Sequence, residues 1–228
     1  MRVVVTAGPT REYLDPVRFL SNPSTGKMGF AIAAEAARRG HEVTLVAGPV
    51  ALKTPKGVER VDVVSAREML AAVVGALSAP AAEIGGGTVE IVGGTVVIAT
   101  AAVADWRSAK CSAKKLKKGE MSGVLRLVRN PDILKTIDSC RRRSKDVGLR
   151  LVGFAAETDH VLGGAARKCR EKGLEFIVAN DVTQKGCGFG TDTNRVTFVF
   201  PDGTQRKFPL MTKRMVAKRI LEEIEHEK

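Results

Sequence analysis

The chain has 228 residues, 44% of them apolar, enough for one α/β domain with a sizeable core. It carries 37 basic against 25 acidic residues, a formal net charge of +12, which suits an anionic small molecule. One Trp, one Tyr and eight Phe, with no basic-aromatic stripe, argue against nucleic acid, and no apolar run is long enough to span a membrane.

Val3-Val4-Val5 is short and β-branched and reads as a buried strand. Gly8 and Pro9 punctuate its end. A long polar loop follows, carrying Arg11, Asp15, Arg18 and Asn22. Ser24-Thr25-Gly26 then leads into an Ala-rich helix from Lys27 to Arg39, which Gly40 can end. His41 to Ala47 is a second strand. This βαβ opening places a helix N-terminus at the carboxyl end of a sheet, where anions and nucleotides bind. A P-loop needs glycine at position 21 and Ser or Thr after Lys27; Ser21 and Met28 stand there. A dinucleotide fingerprint needs three close glycines, and only Gly8 is near the strand. A bare helix start capped by Ser24 accounts for Ser24 but not for the loop's length. Long ordered loops in compact domains are usually functional.

Val58 to Val64 is a third strand. Ser65 and Glu68 form a capping box for a helix bearing Met69, Leu70, Val73, Val74 and Leu77. The stretch from Ala79 to Gly94 is Gly-rich and open to several readings, with Glu90-Ile91-Val92 a candidate short strand. Thr95 to Ala101 is the next buried strand. The small residues Ala101, Ala102 and Ala104 would let a ligand approach the backbone, or would serve tight packing equally well. Asp105, close to an apolar strand end, is costly unless paired or used. Residues 107 to 118 carry a lysine run, a solvated turn in the plain reading and a mobile lid over a triphosphate in the functional one.

Leu125 to Val128 reads as a strand, and Asp132 or its neighbour starts a helix through Ile133, Leu134 and Ile137. Arg141 to Lys145 is an exposed charge run. Leu149 to Ala155 is a strand, and a helix runs from about Val161 to Lys172, with Lys168 and Lys172 on one face. Phe176 to Ala179 is a strand. Asn194 to Phe200 and Gln205 to Leu210 form an antiparallel hairpin, and Thr212 caps a last apolar-faced helix. Cys111, Cys140, Cys169 and Cys187 show no metal-site spacing and suit a reducing cytoplasm. No signal peptide is expected ahead of the first strand. The fold class is α/β: a Rossmann-like, mostly parallel sheet flanked by helices, with a C-terminal antiparallel hairpin, in a single domain 1–228.

The motifs AGPTREYLDPVRFLSNPSTGKMG, AAVADW, KKLKK, VRNPDIL, GFAAET, ANDV and GFGTDTNRV occur in that order. Over nearly the whole chain they resemble the phosphopantothenoylcysteine synthetase family, often fused behind a flavin-dependent decarboxylase. The resemblance implies ligation of 4′-phosphopantothenate to L-cysteine through an acyl-nucleotide, with Mg²⁺ and CTP or ATP, CTP favoured. It implies Asn22 and Lys115 as catalytic, and Arg18, Ala101 and Ala102 as substrate-binding. Gly8, Ser24, Thr25, Gly26, Asp105, Lys115, Asn130, Pro131, Asp132 and Ile133 would bind the nucleotide. So would Phe154, Ala155, Lys168 and Lys172. Pro23 and Lys114 are local departures from the family pattern. A cytoplasmic homodimer follows, with the hairpin at about 190–210 at its axis. A separate or fused decarboxylase is the expected partner, and no flavin chemistry is expected from this chain. The metal ligands stay unassigned. The competing reading, a nicotinamide-dependent oxidoreductase, lacks the glycine turn after Val5 and an acid after the second strand.

Overall fold

The computed structural model describes residues 1–78, 94–120, 123–144, 148–157 and 164–226, without the side chains of 120 and 157. The expected strand at Glu90–Val92 and the start of the helix expected from Val161 lie outside the described residues.

The valine-rich runs form the middle of one eight-stranded sheet. Its six parallel strands are β1 (Arg2–Ala7), β4 (Glu42–Ala47), β5 (Val58–Asp62), β6 (Thr95–Ala99), β9 (Arg150–Glu157) and β10 (Phe176–Asp181). Short antiparallel ribbons interrupt this series: β2 (Arg11–Tyr13) with β3 (Phe19–Ser21), and β7 (Trp106–Ser108) with β8 (Leu127–Arg129). Late in the chain come β11 (Thr193–Asn194), β12 (Thr197–Val199), β13 (Gln205–Lys207) and β14 (Met211–Thr212). The sheet order is β13-β12-β10-β9-β6-β1-β4-β5. Val5 pairs with both Leu45 and Ile98, so β1 lies between β4 and β6. The parallel strands therefore wind outward in two directions from β1 and β6. Ligands bind at such a switch point, outside the carboxyl ends of the strands.

Helices α1 (Lys27–Arg38) and α5 (Lys213–His226) cover one face; α2 (Ala66–Leu77), α3 (Ile133–Ser144) and α4 (Ala165–Glu171) cover the other. Phe30, Ile32, Ala33 and Ala36 of α1 recur at helical spacing and are buried with Val216, Ile220 and Ile224 of α5. Small alanines let α1 sit close to the sheet. Gly29 goes further: a Cβ there would stand 2.5 Å from both Ala7 Cβ and Thr100 Oγ1. The capping box forms as expected, with Ser65 Oγ accepting from the Glu68 N–H at 3.2 Å. Thr212 Oγ1 likewise accepts from Met215 N–H at the start of α5.

Several expectations need correction. Ser24 does not cap α1. The N-cap is Gly26 at φ +77°, with no side-chain cap, and Ser24 Oγ accepts only from the Gly26 N–H. Only glycine adopts that left-handed conformation without strain. In the Arg141–Lys145 run, Arg142 and Arg143 are exposed as expected but Arg141 is partly buried; 141–144 is the last turn of α3, and 145 lies outside the described residues. There Arg141 donates to Asp138 and to the Leu149 and Gly173 carbonyls, and Arg142 to Asp138. The arginine stems and a buried carboxylate thus tie α3 to the chain before and after β9.

The hairpin is not a free-standing element. β12 pairs antiparallel with β10, and β13 with β12. Both faces of β12 are covered, since Phe198 and Val199 are both buried. Phe198 packs on Phe176 and Phe208, while the other face meets α4, where the Cys169 thiol donates to the Val199 carbonyl. Each such buried apolar side chain contributes roughly 1.5–3 kcal/mol.

Candidate active site

A cavity of about 960 Å³ opens over the carboxyl ends of β1, β6, β9 and β10. Its floor is made by strand-end loops that are themselves paired. Gly8 O accepts from the Ala102 N–H, and Pro9 bridges to Ala102. Buried Thr10 accepts the Ala104 N–H through Oγ1 and the Ser21 hydroxyl through its carbonyl. The close approach demands small residues. Gly8 lies at φ +79°, and a Cβ at Gly48 would overlap the Pro9 carbonyl oxygen.

One wall is the α1 N-terminus. Ser24, Thr25 and Gly26 lie on it, and the first turn of α1 has no capping side chain and no acidic residue. Backbone N–H groups and the helix dipole there favour an anion. Asn22 stands beside this wall. Its Nδ2 donates to the Ala102 carbonyl at 3.2 Å and the Val103 carbonyl at 3.1 Å. It thereby couples the end of β3 to the loop after β6, where Ala101 and Ala102 line the cavity.

The opposite wall holds Asn130, Pro131, Asp132 and Ile133, with Phe154 and Ala155 on the floor between. Asn130 is fixed by donating through Nδ2 to the Ala104 carbonyl at 2.8 Å, and its N–H donates to the Asp105 carbonyl. Asp132 begins α3 by accepting the Lys135 N–H, and pairs with Lys172 at 2.8 Å. Partial burial pushes its carboxyl up, but Lys172 and the Lys135 N–H outweigh that and hold it below the usual range. Lys168 and Lys172 both reach the cavity, so the expected basic face is there; the Lys172 charge is already paired. Asp105 also lines the cavity, but it is exposed. The expectation of a costly carboxylate at an apolar strand end is therefore corrected: solvent carries that cost.

Three of the expected residues are not on the wall. Gly8 lies just beneath it. Arg18 and Lys115 stand apart, at the tip of the β2–β3 hairpin and in the lysine run. Arg18 Nη2 donates to Asp15 at 2.6 Å and to the Leu116 carbonyl at 2.7 Å. The lysine run is fastened rather than loose, since Ser112 N–H also donates to the Leu14 carbonyl.

Sequence reasoning passed over Lys27, Asn180 and Lys213, which also line the cavity. Lys27 donates to the Gly190 carbonyl and Asp192. Buried Lys213 donates to the Gly188 and Thr191 carbonyls. Burial, aided by the Lys27 charge, draws its ammonium below the ordinary lysine value. Together they pin the 188–192 loop at the cavity rim. Asn180 lies one residue before the end of β10, inside the quoted ANDV motif, a signal that was present but unassigned. Nothing in the sequence marks Lys213, because its site forms only when α5 docks. Cys169 is fully buried, and burial pushes its thiol up to about 11, which disfavours the thiolate.

The sheet order and the strand-end cavity define an α/β protein of the doubly wound, Rossmann-like type. The chain belongs to the DNA/pantothenate metabolism flavoprotein C-terminal domain family, whose model matches residues 1–227. The "Coenzyme A biosynthesis bifunctional protein CoaBC" of Escherichia coli is 44% identical over 227 residues, covering 98% of this chain and 51% of that protein. The Bacillus subtilis protein of the same name is 44% identical over 223 residues, 97% of this chain and 50% of the relative. The chain thus spans about half the length of these relatives. A crystal structure of the C-terminal domain of CoaBC superposes with TM-score 0.76 at 43% identity, covering 99% of this chain and 94% of that one. A Cab2 variant in complex with phosphopantothenate-cysteine shares the fold, with TM-score 0.73 at 15% identity over 97% of this chain and 85% of that one. Among the described residues no helix is long and apolar enough to cross a membrane.

Proposed function

We propose that the chain joins 4′-phosphopantothenate to L-cysteine at the expense of a nucleoside triphosphate, CTP being favoured over ATP. The observation that carries this reading is the juxtaposition of Asn22 with the Ala102–Val103 backbone beside an uncapped helix N-terminus. Family membership and the names of the CoaBC relatives support it. The substrate carboxylate attacks the α-phosphate, forming an acyl–phosphate bond and breaking the α–β bridge, so pyrophosphate leaves. The α1 N-terminus and Lys168 would take the charge on the phosphates. The cysteine amine then attacks the acyl carbon, the nucleoside monophosphate leaves, and the amine releases a proton. Holding both reactants in one cavity contributes ~7–11 kcal/mol in favourable cases.

Among the described residues no group of three or more His, Cys, Asp or Glu is placed to hold a metal. Mg²⁺ keeps waters and binds through substrate phosphates and one or two carboxylates. Asp105, Asp132 and Glu171 are carboxylates on the wall that could serve that role. When bound, the ion would neutralise charge on the phosphates. A flavin-dependent decarboxylase, fused or separate, would consume the product, and the free cysteines suit a reducing cytoplasm.

We also propose a homodimer. The edge strand β13 is exposed throughout and reads Gln205-Arg206-Lys207, a charged edge that resists pairing. The two ribbons offer the better face, since Tyr13, Phe19, Trp106 and Leu127 are all exposed on them. The functional test is one assay of phosphopantothenate, cysteine and Mg²⁺ with each nucleoside triphosphate. Pyrophosphate release that requires phosphopantothenate is expected, and none with any nucleotide overturns the reading.

A further inference from the structure

Residues 110–118 carry Lys110, Lys114, Lys115, Lys117 and Lys118. Like charges at this density repel and should spread the segment into solvent. Instead its backbone is gripped at the tip of the β2–β3 hairpin. Asp15 lies there with its side chain fully buried. An isolated buried carboxylate is strongly disfavoured, and this one is surrounded by donors. It accepts the N–H groups of Val17 at 2.8 Å and Arg18 at 2.9 Å, and two guanidinium bonds from Arg18 at 3.0 and 2.6 Å. Burial would raise its carboxyl, but these bonds outweigh that and hold it far below the usual carboxylate range.

Those four bonds would be enough to close the turn. The fifth reaches 101 residues along the chain: the Leu116 N–H donates to Asp15 Oδ2 at 3.2 Å. Arg18, itself oriented by Asp15, takes the Leu116 carbonyl at 2.7 Å. Both polar groups of one loop residue are therefore held by one ion pair. A second point of attachment, Ser112 N–H to the Leu14 carbonyl at 2.9 Å, lies on the same tip. Lys114 and Lys115 fall between the two. The segment leaves β7, whose Trp106 lines the cavity.

We propose that Asp15 is a positioning residue: its ionised carboxylate clips the Leu116 backbone and so sets where Lys114 and Lys115 stand. Asp15 does not line the cavity and touches no reactant. Its role in the reaction rests on the ligase reading, whereas the clip itself rests on geometry alone.

The test uses the full chain and Asp15→Asn, which keeps the shape but turns an amide donor toward groups that already donate. Hydrogen exchange across residues 112–118 should become at least about tenfold faster, as expected for losing bonds to a charged acceptor, while β1 and β6 keep their protection. Pyrophosphate release should fall about as far as in Lys115→Gln. The double variant should lose no more than either single one, because both remove the same placed lysine. Exchange equal to wild type overturns the clip. Losses that simply add overturn the positioning role and leave a stability effect. If Asp15→Asn does not fold, Leu116→Pro deletes the one N–H and spares Asp15, with the same outcomes expected. If the wild type releases no pyrophosphate with any nucleotide, the ligase reading and the catalytic role fall together, and the exchange comparison alone decides the clip.

Discussion

Asn22 and Gly29 lie on either side of α1's start, yet they answer to different physics. Asn22 is a donor: its amide bonds two carbonyls on the far side of the strand-end crevice. A carboxylate at neutral pH cannot donate, and it would add negative charge beside a phosphate-linked intermediate. Asn22→Asp should therefore keep nucleotide binding and some acyl-nucleotide formation, but slow product formation by roughly 10²-fold or more. Mass spectrometry of the quenched mixture should find the intermediate accumulating; wild-type product rates would reduce Asn22 to a turn residue. Gly29 acts through absence of a side chain. Gly29→Ala pushes a methyl onto Ala7 Cβ and Thr100 Oγ1, both at 2.5 Å. Overpacking of this kind costs about 1–3 kcal/mol, so thermal unfolding should come roughly 2–10 °C earlier.

Among the elements, α1 and α5 are joined by a charge network at the end of the sheet away from the cavity. Buried Glu35 takes Arg38 at 2.6 Å and Arg39 at 3.0 Å, and Arg39 reaches Glu225, which also meets His41. The Arg38 bonds, opposed by burial and aided by Arg39, hold the Glu35 carboxyl at about 2. A carboxyl depressed on folding stabilises above its unfolded value and loses that contribution as pH falls through the folded one. The window therefore runs from about 4.5 down to about 2. Screening around the exposed Arg38 limits the contribution to on the order of 1–2 kcal/mol. Urea midpoints at pH 7 and pH 3 should converge in Glu35→Gln relative to wild type; an equal acid loss in both would assign it to other carboxylates. The helices themselves were legible because apolar spacing marks them, as in Phe30, Ala33 and Ala37 or Ile220 and Ile224. The charge network was not, since Glu35 and Glu225 meet only across packed helices. The same distinction runs through the site. Ser24 to Gly26 and Asp132 sit at helix starts after strands and could be read locally. Lys213 acquires its partners only through tertiary contact, and so does Asp15 its bond from Leu116.

At the scale of the whole molecule, the exposed apolar side chains include a cluster on and beside the ribbons, with Phe189, Leu210 and Met215 exposed elsewhere. Tyr13, Val17, Phe19, Trp106, Leu125 and Leu127 are between 37% and 57% exposed. The ribbons touch one another through β2 and β7. Tyr13 and Phe19 pack ring to ring at 5.3 Å, while Arg11 covers Phe19 and Arg129 covers Trp106. Short ribbons of this kind are marginal unless a second layer covers them, and exposed aromatic clusters with arginine are typical of interface centres. A second copy across a two-fold axis would present each ribbon with its own complement. The hairpin is the weaker candidate: Phe198 and Val199 are already in the core and its outer strand is charged, which leaves Leu210 exposed and Arg206 over Phe200. Sedimentation should find a dimer at micromolar concentration. Phe19→Asp should shift it toward monomer, while Arg206→Glu on the hairpin edge should leave assembly unchanged. A fully active monomer would remove the dimer, and dissociation caused by the edge substitution alone would return the interface to the hairpin.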